Sequence, residues 1–374
     1  MQWNILVVDD DPEIAATIKE QISGNKVVLQ PETIVCTLLN SFDEAIASMA
    51  TSRYDLIILD LKDDIADEDA DPDAVLSGER VISALRKSNF TPVVFHTGFA
   101  HKVERLKSPF VRVVAKGSHP SVLRGEISGI LSTQLPALVR YIEEQQRSYL
   151  WDHIEKHWSE DAKICEASDL AHLVAKRLSH ALTTQSIARF FDETNKVENV
   201  RPVEMYIWPP LGTTSGFGDI VQNVETKDFS FVLTPICDCV QGKAEQALLV
   251  ACTGLEAQRE YVAVKTDKDK KIAISGTKEK DLLALIRDRR QGKGVQPERF
   301  KFLPGTSFLP DLVVDFQHLG HIPFKELNDP EKYTRIATLD NPFSEAVQNR
   351  FTQYYGRVGT PDLHAELVYE RLVK

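Results

Sequence analysis

The sequence predicts an α/β domain with a doubly wound parallel sheet over residues 1–130, a helical linker over 131–195, and an α+β domain over 196–374 built on a bent sheet or small barrel. Three observations predict it. In the first 130 residues, short apolar runs that stop abruptly at a polar residue alternate with helical spacings, the pattern of strands joined by crossover helices. Residues 121–160 are mostly good helix formers, interrupted at Pro136. From about residue 200, short apolar runs are separated by glycine and proline joints such as Pro209-Pro210-Leu211-Gly212 and Gly216-Phe217-Gly218.

The first run, Ile5-Leu6-Val7-Val8, ends in Asp9-Asp10-Asp11-Pro12, and Ile14, Ile18 and Ile22 then recur at helical intervals. A buried parallel strand is apolar on both faces, and its C-terminal end is where open α/β sheets bind ligands. A helical pattern over 41–51 leads to Leu56-Ile57-Ile58-Leu59, which ends in Asp60. A second pattern over 78–87 leads to Val93-Val94-Phe95, which ends in His96-Thr97-Gly98. A third, over 99–107, leads to Val111–Ala115, which ends in Lys116-Gly117, and a fourth spans 120–131. Right-handed crossovers between such strands give a doubly wound sheet.

An acid pair, a single Asp, a Thr and a Lys, each just after an apolar strand and in that order, resemble the receiver domain of two-component response regulators. The resemblance covers residues 1 to about 130 and implies a five-stranded, flavodoxin-like parallel sheet. It implies that Asp60 is phosphorylated by a histidine kinase or phosphotransfer protein, and that Thr97 and Lys116 sense the phosphoryl group. It also implies Mg²⁺ held by Asp9, Asp10 and Asp60, with Asp10 a direct ligand and the backbone carbonyl of Lys62 completing the protein's share. The residue types suit that chemistry on their own terms. Mg²⁺ prefers oxygen donors, and a carboxylate attacking a phosphoryl donor needs positive charge between two anions. The chain departs from the family pattern at Gly117, where proline is common, at Gly98, where alanine is, and at Val113, where an aromatic switch residue is usual; Phe110 is nearby. The loop after Asp60 is also about ten residues longer than usual.

Beyond residue 130 the signals are weaker. Leu138, Tyr141, Ile142, Gln145, Tyr149, Trp151 and Ile154 form only a partial apolar stripe, suited to a signalling helix, to dimer contacts or to packing on the next domain. A helical region over 163–192 carries His180, which is read as an ordinary helix histidine. His153 and His157 lie one turn apart but lack the further ligands of a zinc site. Strands are expected at 203–208, 229–234, 247–252, 260–265, 271–275 and 311–317, with helices over 278–290, 342–355 and 361–373. Thr234-Pro235-Ile236-Cys237-Asp238, Phe302-Leu303-Pro304 and Arg357-Val358-Gly359-Thr360-Pro361 resemble segments of bacterial proteins, some of which have an SH3-like barrel of the MazF/PemK type. Cys237 and Cys239 with His318 and His321 have zinc-ligand types, but the cysteine spacing is too tight. Glu260, Lys265, Asp219 and Asp238 lack the spacing of a metal nuclease core.

The net charge of −11 is unevenly placed. Residues 1–130 hold 20 acids and 13 bases, and Asp63 to Asp73 alone supplies seven acids and no base. The remaining residues hold 35 acids and 31 bases, with no clear basic recognition helix, which argues against nucleic acid as a partner. The opening residues do not read as a signal peptide and no apolar run reaches membrane-spanning length, so a cytoplasmic protein with no membrane partner is expected. Five cysteines spread over the chain read as reduced thiols. The leading expectation is a response regulator that is not an enzyme and signals through a protein effector or a homodimer. The alternatives are a phosphate sink in a two-component-like relay, such as one in antiviral defence, and a receiver gating an enzymatic effector.

Overall fold

The computed structural model describes residues 2–28, 32–61, 82–83, 85, 90–155, 167–182, 199–290, 295–358 and 363–373. Lys62, the acidic stretch Asp63–Asp73, most of the helix expected over 78–87, and His157 lie outside them. The chain divides into two compact units, Met1–Val197 and Glu198–Lys374.

Unit 1 opens with β1 (Gln2–Val8), α1 (Pro12–Ile22), β2 (Thr33–Leu39), α2 (Phe42–Thr51) and β3 (Leu56–Leu59). It continues with β4 (Val93–Thr97), α3 (Ala100–Val103), β5 (Val111–Ala115) and α4 (Pro120–Leu131). The five strands are all parallel in the order β2-β1-β3-β4-β5. Alternation along each strand divides its side chains between two cores. Trp3, Ile5, Val7, Ile58 and Val94 join the core that includes Ile18 of α1 and Ile127 of α4, while Leu6, Val8, Ile57, Leu59 and Phe95 join that of Ala45 and Met49 in α2. Burial on both faces is why these strands read as continuous apolar runs. Strand β2 escaped that reading because it is an edge strand with no fully buried residue. Ile82 and Leu85 fall in the region expected to form the third helix and enter the second core. The helix expected over 99–107 is divided into α3 and a 3₁₀ turn at Glu104–Leu106.

The helical break falls between α4 and α5 (Leu135–Ser148), where Gln134 takes φ 56° and Pro136 occupies the first turn. Helix α5 packs back onto unit 1: Arg140 donates to Asp55 Oδ2 at 2.8 Å and to the Gln2 carbonyl at 3.0 Å, and Arg53 pairs with Glu143 at 2.5 Å. A π turn over Tyr149–Ile154 follows, and α6 (Ala167–Ala181) carries His180 exposed on its surface.

Unit 2 is built on β6 (Tyr206–Ile207), β7 (Asp219–Asn223), β8 (Phe229–Val232), β9 (Gln246–Gly254), β10 (Phe300–Leu303), β11 (Leu312–Pro323) and β12 (Tyr333–Leu339). They form one antiparallel sheet in the order β10-β11-β9-β8-β7-β12-β6. Its two edges approach each other: the Tyr206 hydroxyl on β6 donates to the Pro304 carbonyl just past β10 at 2.8 Å. The sheet is therefore curled into a half-barrel around Phe231, Val250, Leu303, Val314 and Phe316. The helices are α7 (Ile236–Val240), α8 (Arg259–Asp269), α9 (Gly276–Ile286), α10 (Phe324–Leu327), α11 (Phe343–Tyr355) and α12 (Ala365–Val373).

Two expected strands are corrected. Residues 260–265 lie in α8, and 271–275 form the connection from α8 to α9. The short apolar run Tyr261-Val262-Ala263-Val264 imitates a strand because the inward positions of the helix include acids, Glu260 and Asp267. Each is buried against a cation, Glu260 by Arg290 (2.8 Å) and Asp267 by Lys278 (2.7 Å), so hydrophobicity does not report the buried face. Strands β7, β10 and β12 were not anticipated; β12 is mixed in burial and irregular between Arg335 and Ala337. No helix among the described residues is long and apolar enough to cross a membrane.

Candidate functional site

The sheet order reverses direction at β1, so the C-terminal ends of β1 and β3 lie side by side at a topological switch point. The ladder carries straight into the site, since Asp60 N–H donates to the Val8 carbonyl at 2.9 Å and Asp9 N–H to the Leu39 carbonyl at 3.2 Å. Asp9 is fully buried, Asp60 nearly so, and Asp10 exposed. Carboxylate oxygens of the three lie within 4.8 Å of one another. Asp11, the third acid of the run, does a different job. It caps α1, accepting from Glu13 N–H at 2.8 Å, while Pro12 starts the helix where no donor is needed.

Lys116 at the end of β5 supplies the opposing charge. Its Nζ lies 2.7 Å from Asp60 Oδ2 and 2.9 Å from Asp9 Oδ2. Asp60 Oδ1 accepts from Leu61 N–H at 2.7 Å, and Asp9 Oδ1 from Asp11 N–H at 3.1 Å. Burial raises the Asp9 carboxyl above its usual range, against the pull of Lys116 and the Asp11 amide. Burial alone would lower Lys116, but its hydrogen bond to Asp60 and its close pairing with the Asp9 carboxylate outweigh it and hold the ammonium above its ordinary value. Thr97 is fully buried at the end of β4, where its hydroxyl oxygen accepts from Phe99 N–H at 3.1 Å. Its main chain is tied to the lysine, because Lys116 N–H donates to the Thr97 carbonyl at 2.9 Å. His96, the residue before Thr97 on β4, is pushed down by burial and then by the Lys116 charge.

The donor set suits a hard divalent cation. It offers only carboxylate oxygens, and Asp9 Oδ2 is buried with no donor in hydrogen-bonding line despite the nearby ammonium. Gly117 takes φ +91°, which proline cannot adopt. A Cβ at Gly98 would meet no atom within 4 Å, so the space beside Thr97 is open. Val113 is half-buried against the second core, and Phe110 packs edge-on against Phe90 at 5.0 Å.

The other constellations do not assemble. Among the described residues the three Asp residues of unit 1 form the one group with metal-binding spacing. Cys239 is buried with its thiol toward the Thr234 carbonyl, Cys237 is exposed, and exposed His318 pairs with Asp315 at 3.2 Å. Asp219 is buried, pairing with Arg335 at 2.8 Å and accepting from Gly216 N–H at 2.8 Å and from the Thr338 hydroxyl. Arg335 also donates to the Leu211 carbonyl at 2.8 Å, so this pair braces the 211–216 loop beside a cleft of about 340 Å³. Sequence spacing offered no hint of it, because Asp219 and Arg335 are 116 residues apart and meet only through the β7–β12 pairing.

Strand order and strand-end chemistry together give the first 131 residues of unit 1 a receiver-type fold. Solved structures similar to this part of the chain include receiver domains. One is the receiver domain of a response regulator from Francisella, with 26% identity over 35% of this chain and 98% of that one, and a TM-score of 0.27. A second is the response regulator TrrA from Thermotoga maritima in complex with Mg²⁺ and BeF, with 25% identity over 34% and 98% and a TM-score of 0.26. A third is a CheY-like receiver domain protein from Methanospirillum hungatei, with 20% identity over 36% and 97% and a TM-score of 0.27. No family model matches the chain, and no curated protein does.

Proposed function

We propose that the protein is a response regulator whose Asp60 accepts a phosphoryl group from a phosphohistidine of a kinase or phosphotransfer protein. The observation that carries this reading is the Lys116 ammonium bridging Asp60 and Asp9 at 2.7 and 2.9 Å, with Asp10 completing an all-carboxylate cluster at the sheet's switch point. An Asp60 oxygen forms the new P–O bond as the P–N bond of the donor breaks, and the released imidazole takes up a proton. Asp9, Asp10 and Asp60 would hold Mg²⁺, which when bound neutralises charge on the transferring group. Lys116, already paired with Asp60, moves to the arriving phosphoryl oxygens as a fixed cation. The Thr97 hydroxyl, whose oxygen is oriented by Phe99 N–H, donates its own proton to them. Unit 2 serves as an output that binds protein and is itself not an enzyme.

A second reading, a phosphate sink without an output switch, is favoured by one feature. Val113 stands where this class uses a swinging aromatic, and it is half-buried against the second core. Incubation with Mg²⁺ and acetyl phosphate, read by intact mass, should add one phosphoryl group to wild type and none to Asp60→Ala. Equal labelling of the two proteins would overturn the assignment of Asp60. Unchanged protease sensitivity of unit 2 on phosphorylation would favour the sink.

A further inference from the structure

The α8–α9 hairpin ends in a protruding tip, with residues 268–277 all exposed. Helix α8 closes there with Lys271 N–H donating to the Lys268 carbonyl at 3.0 Å and Ile272 N–H to the Asp267 carbonyl at 2.9 Å. This pair of bonds is the Schellman arrangement, which usually takes glycine in its left-handed position and packs the next apolar residue back on the last turn. Here Lys271 takes that position, at φ 56°. The residue Ile272 would pack on is Asp267, which is buried against Lys278, so Ile272 is left 55% exposed and Ile274 43%. Both departures oppose local stability, because a lysine strains the turn and isoleucines stand in water. The charge around them is one-sided. Lys265, Lys268, Lys270, Lys271 and Lys280 are exposed and form no ion pair among the described residues. Five lysines against exposed Asp269 and Glu279 leave a local charge of +3, in a chain whose net charge is −11.

We infer that this tip docks on the surface of an anionic lipid bilayer, with Ile272 and Ile274 entering the headgroup layer and Lys268, Lys270 and Lys271 pairing with lipid phosphates. The lysines select an anionic surface, and the isoleucines select one with apolar depth behind it. Duplex nucleic acid would pair with the lysines but leave both isoleucines in water. A bilayer also yields to a protruding turn, whereas a protein partner would have to supply a cleft for it. The contact stays at the interface and needs no spanning segment. Each basic residue near an anionic bilayer is worth about fivefold in partition, so a charge of +3 gives on the order of 100-fold. With two isoleucines added, the partition constant is on the order of 10³–10⁴ M⁻¹, reversible and close to that of a single fatty-acyl chain. The inference rests on unit 2 alone and stands or falls separately from phosphorylation at Asp60.

Co-sedimentation of the full chain with vesicles of phosphatidylcholine, alone or mixed equally with phosphatidylglycerol, tests it. Wild type should pellet with the mixed vesicles but not the neutral ones, and should be released as NaCl rises from ~0.1 to ~0.5 M. Lys268→Glu, Lys270→Glu and Lys271→Glu together should lower the partition by ~100-fold or more, to the level of neutral vesicles. Ile272→Ser with Ile274→Ser keeps every charge, and should weaken binding by ~10-fold while leaving its salt dependence unchanged. All five positions are exposed, and thermal melts matching wild type establish that each variant folds. The same proteins titrated with a DNA duplex supply the rival outcome. Duplex bound more tightly than mixed vesicles, with the isoleucine variant equal to wild type, would assign the tip to nucleic acid and overturn the proposal. So would a wild type that ignores mixed vesicles or binds neutral ones equally, or an isoleucine variant that holds the vesicles as wild type does.

Discussion

Lys116 holds two buried carboxylates at once, so its loss is felt beyond phosphoryl chemistry. Lys116→Ala leaves Asp9 and Asp60 facing each other without a counter-charge, and we expect a loss of about 3 kcal/mol in urea unfolding without Mg²⁺. Millimolar Mg²⁺ should recover much of that loss, because a divalent cation bound by the folded carboxylates supplies the missing charge and stabilises by mass action. Recovery by Ca²⁺ or Mg²⁺ but not by equal ionic strength of NaCl would separate binding from screening. Asp11, by contrast, is a cap. Asp11→Ala should cost about 1 kcal/mol in stability and leave Mg²⁺ affinity nearly unchanged, measured by the metal dependence of the thermal midpoint. The three adjacent acids are indistinguishable by type, and only the start of α1 at Pro12 separates the cap from the two strand-end acids.

At the scale of elements, the turn after β5 and the docking of α5 are the points most open to test. Gly117 at φ +91° places the chain so that Ser118 N–H donates to the Ala115 carbonyl at 3.1 Å while Lys116 faces the acids. Gly117→Ala should cost about 1 kcal/mol through the left-handed backbone, with Asp60 labelling slowed because Lys116 loses its fixed approach. Helix α5 leaves the linker role partly behind by anchoring on Asp55, which is buried between Arg140 and the Asn4 amide. Arg140→Ala should free α5, seen as faster hydrogen exchange across Leu135–Ser148 with unit 1 otherwise folded. The elements legible in the sequence were those buried by apolar residues on both faces. Those that were missed or mistaken, β2 at the edge, β12 with its irregularity, and α8 with acids facing inward, are ones where burial and hydrophobicity part company.

For the whole molecule, the two units respond to acid with opposite sign. Glu260 and Asp315 would be raised by burial, but hydrogen bonds from Arg290 and Arg259, and from Arg299, pull both below their ordinary values of 4.5 and 3.8. A carboxyl lowered in the folded state binds fewer protons there than when unfolded. Its stabilisation is complete above the ordinary value and fades as pH falls toward the folded one, by at most about 1.4 kcal/mol per pH unit per proton. Asp55 in unit 1 is raised by burial above 3.8 despite the Asn4 amide and Arg140, so its contribution is complete in acid and is lost as pH rises through the folded value. Unit 2 should therefore lose protection before unit 1 as pH falls from about 5 to about 3, read by pulse proteolysis with fragments assigned by mass. The reverse order would mean that the Glu260–Arg290 and Asp315–Arg299 pairs do not dominate the acid response.

The sequence by itself determined the parallel sheet of unit 1 and the positions of Asp9, Asp10, Asp60, Thr97 and Lys116, because each stands where an apolar run ends and the chain must leave the sheet. Local order along the chain was enough for that. Only the tertiary structure decided which oxygen faces the Lys116 ammonium, that Asp11 caps a helix, and that Asp219 meets Arg335 on the neighbouring strand. The same holds for the α8–α9 hairpin, where a count of charges does not tell the buried acids from the exposed ones. Glu260 and Asp267 turn inward to Arg290 and Lys278, while Lys268, Lys270 and Lys271 stand in solvent beside Asp269. Sequence counts charges, whereas burial decides which of them remain to meet a partner.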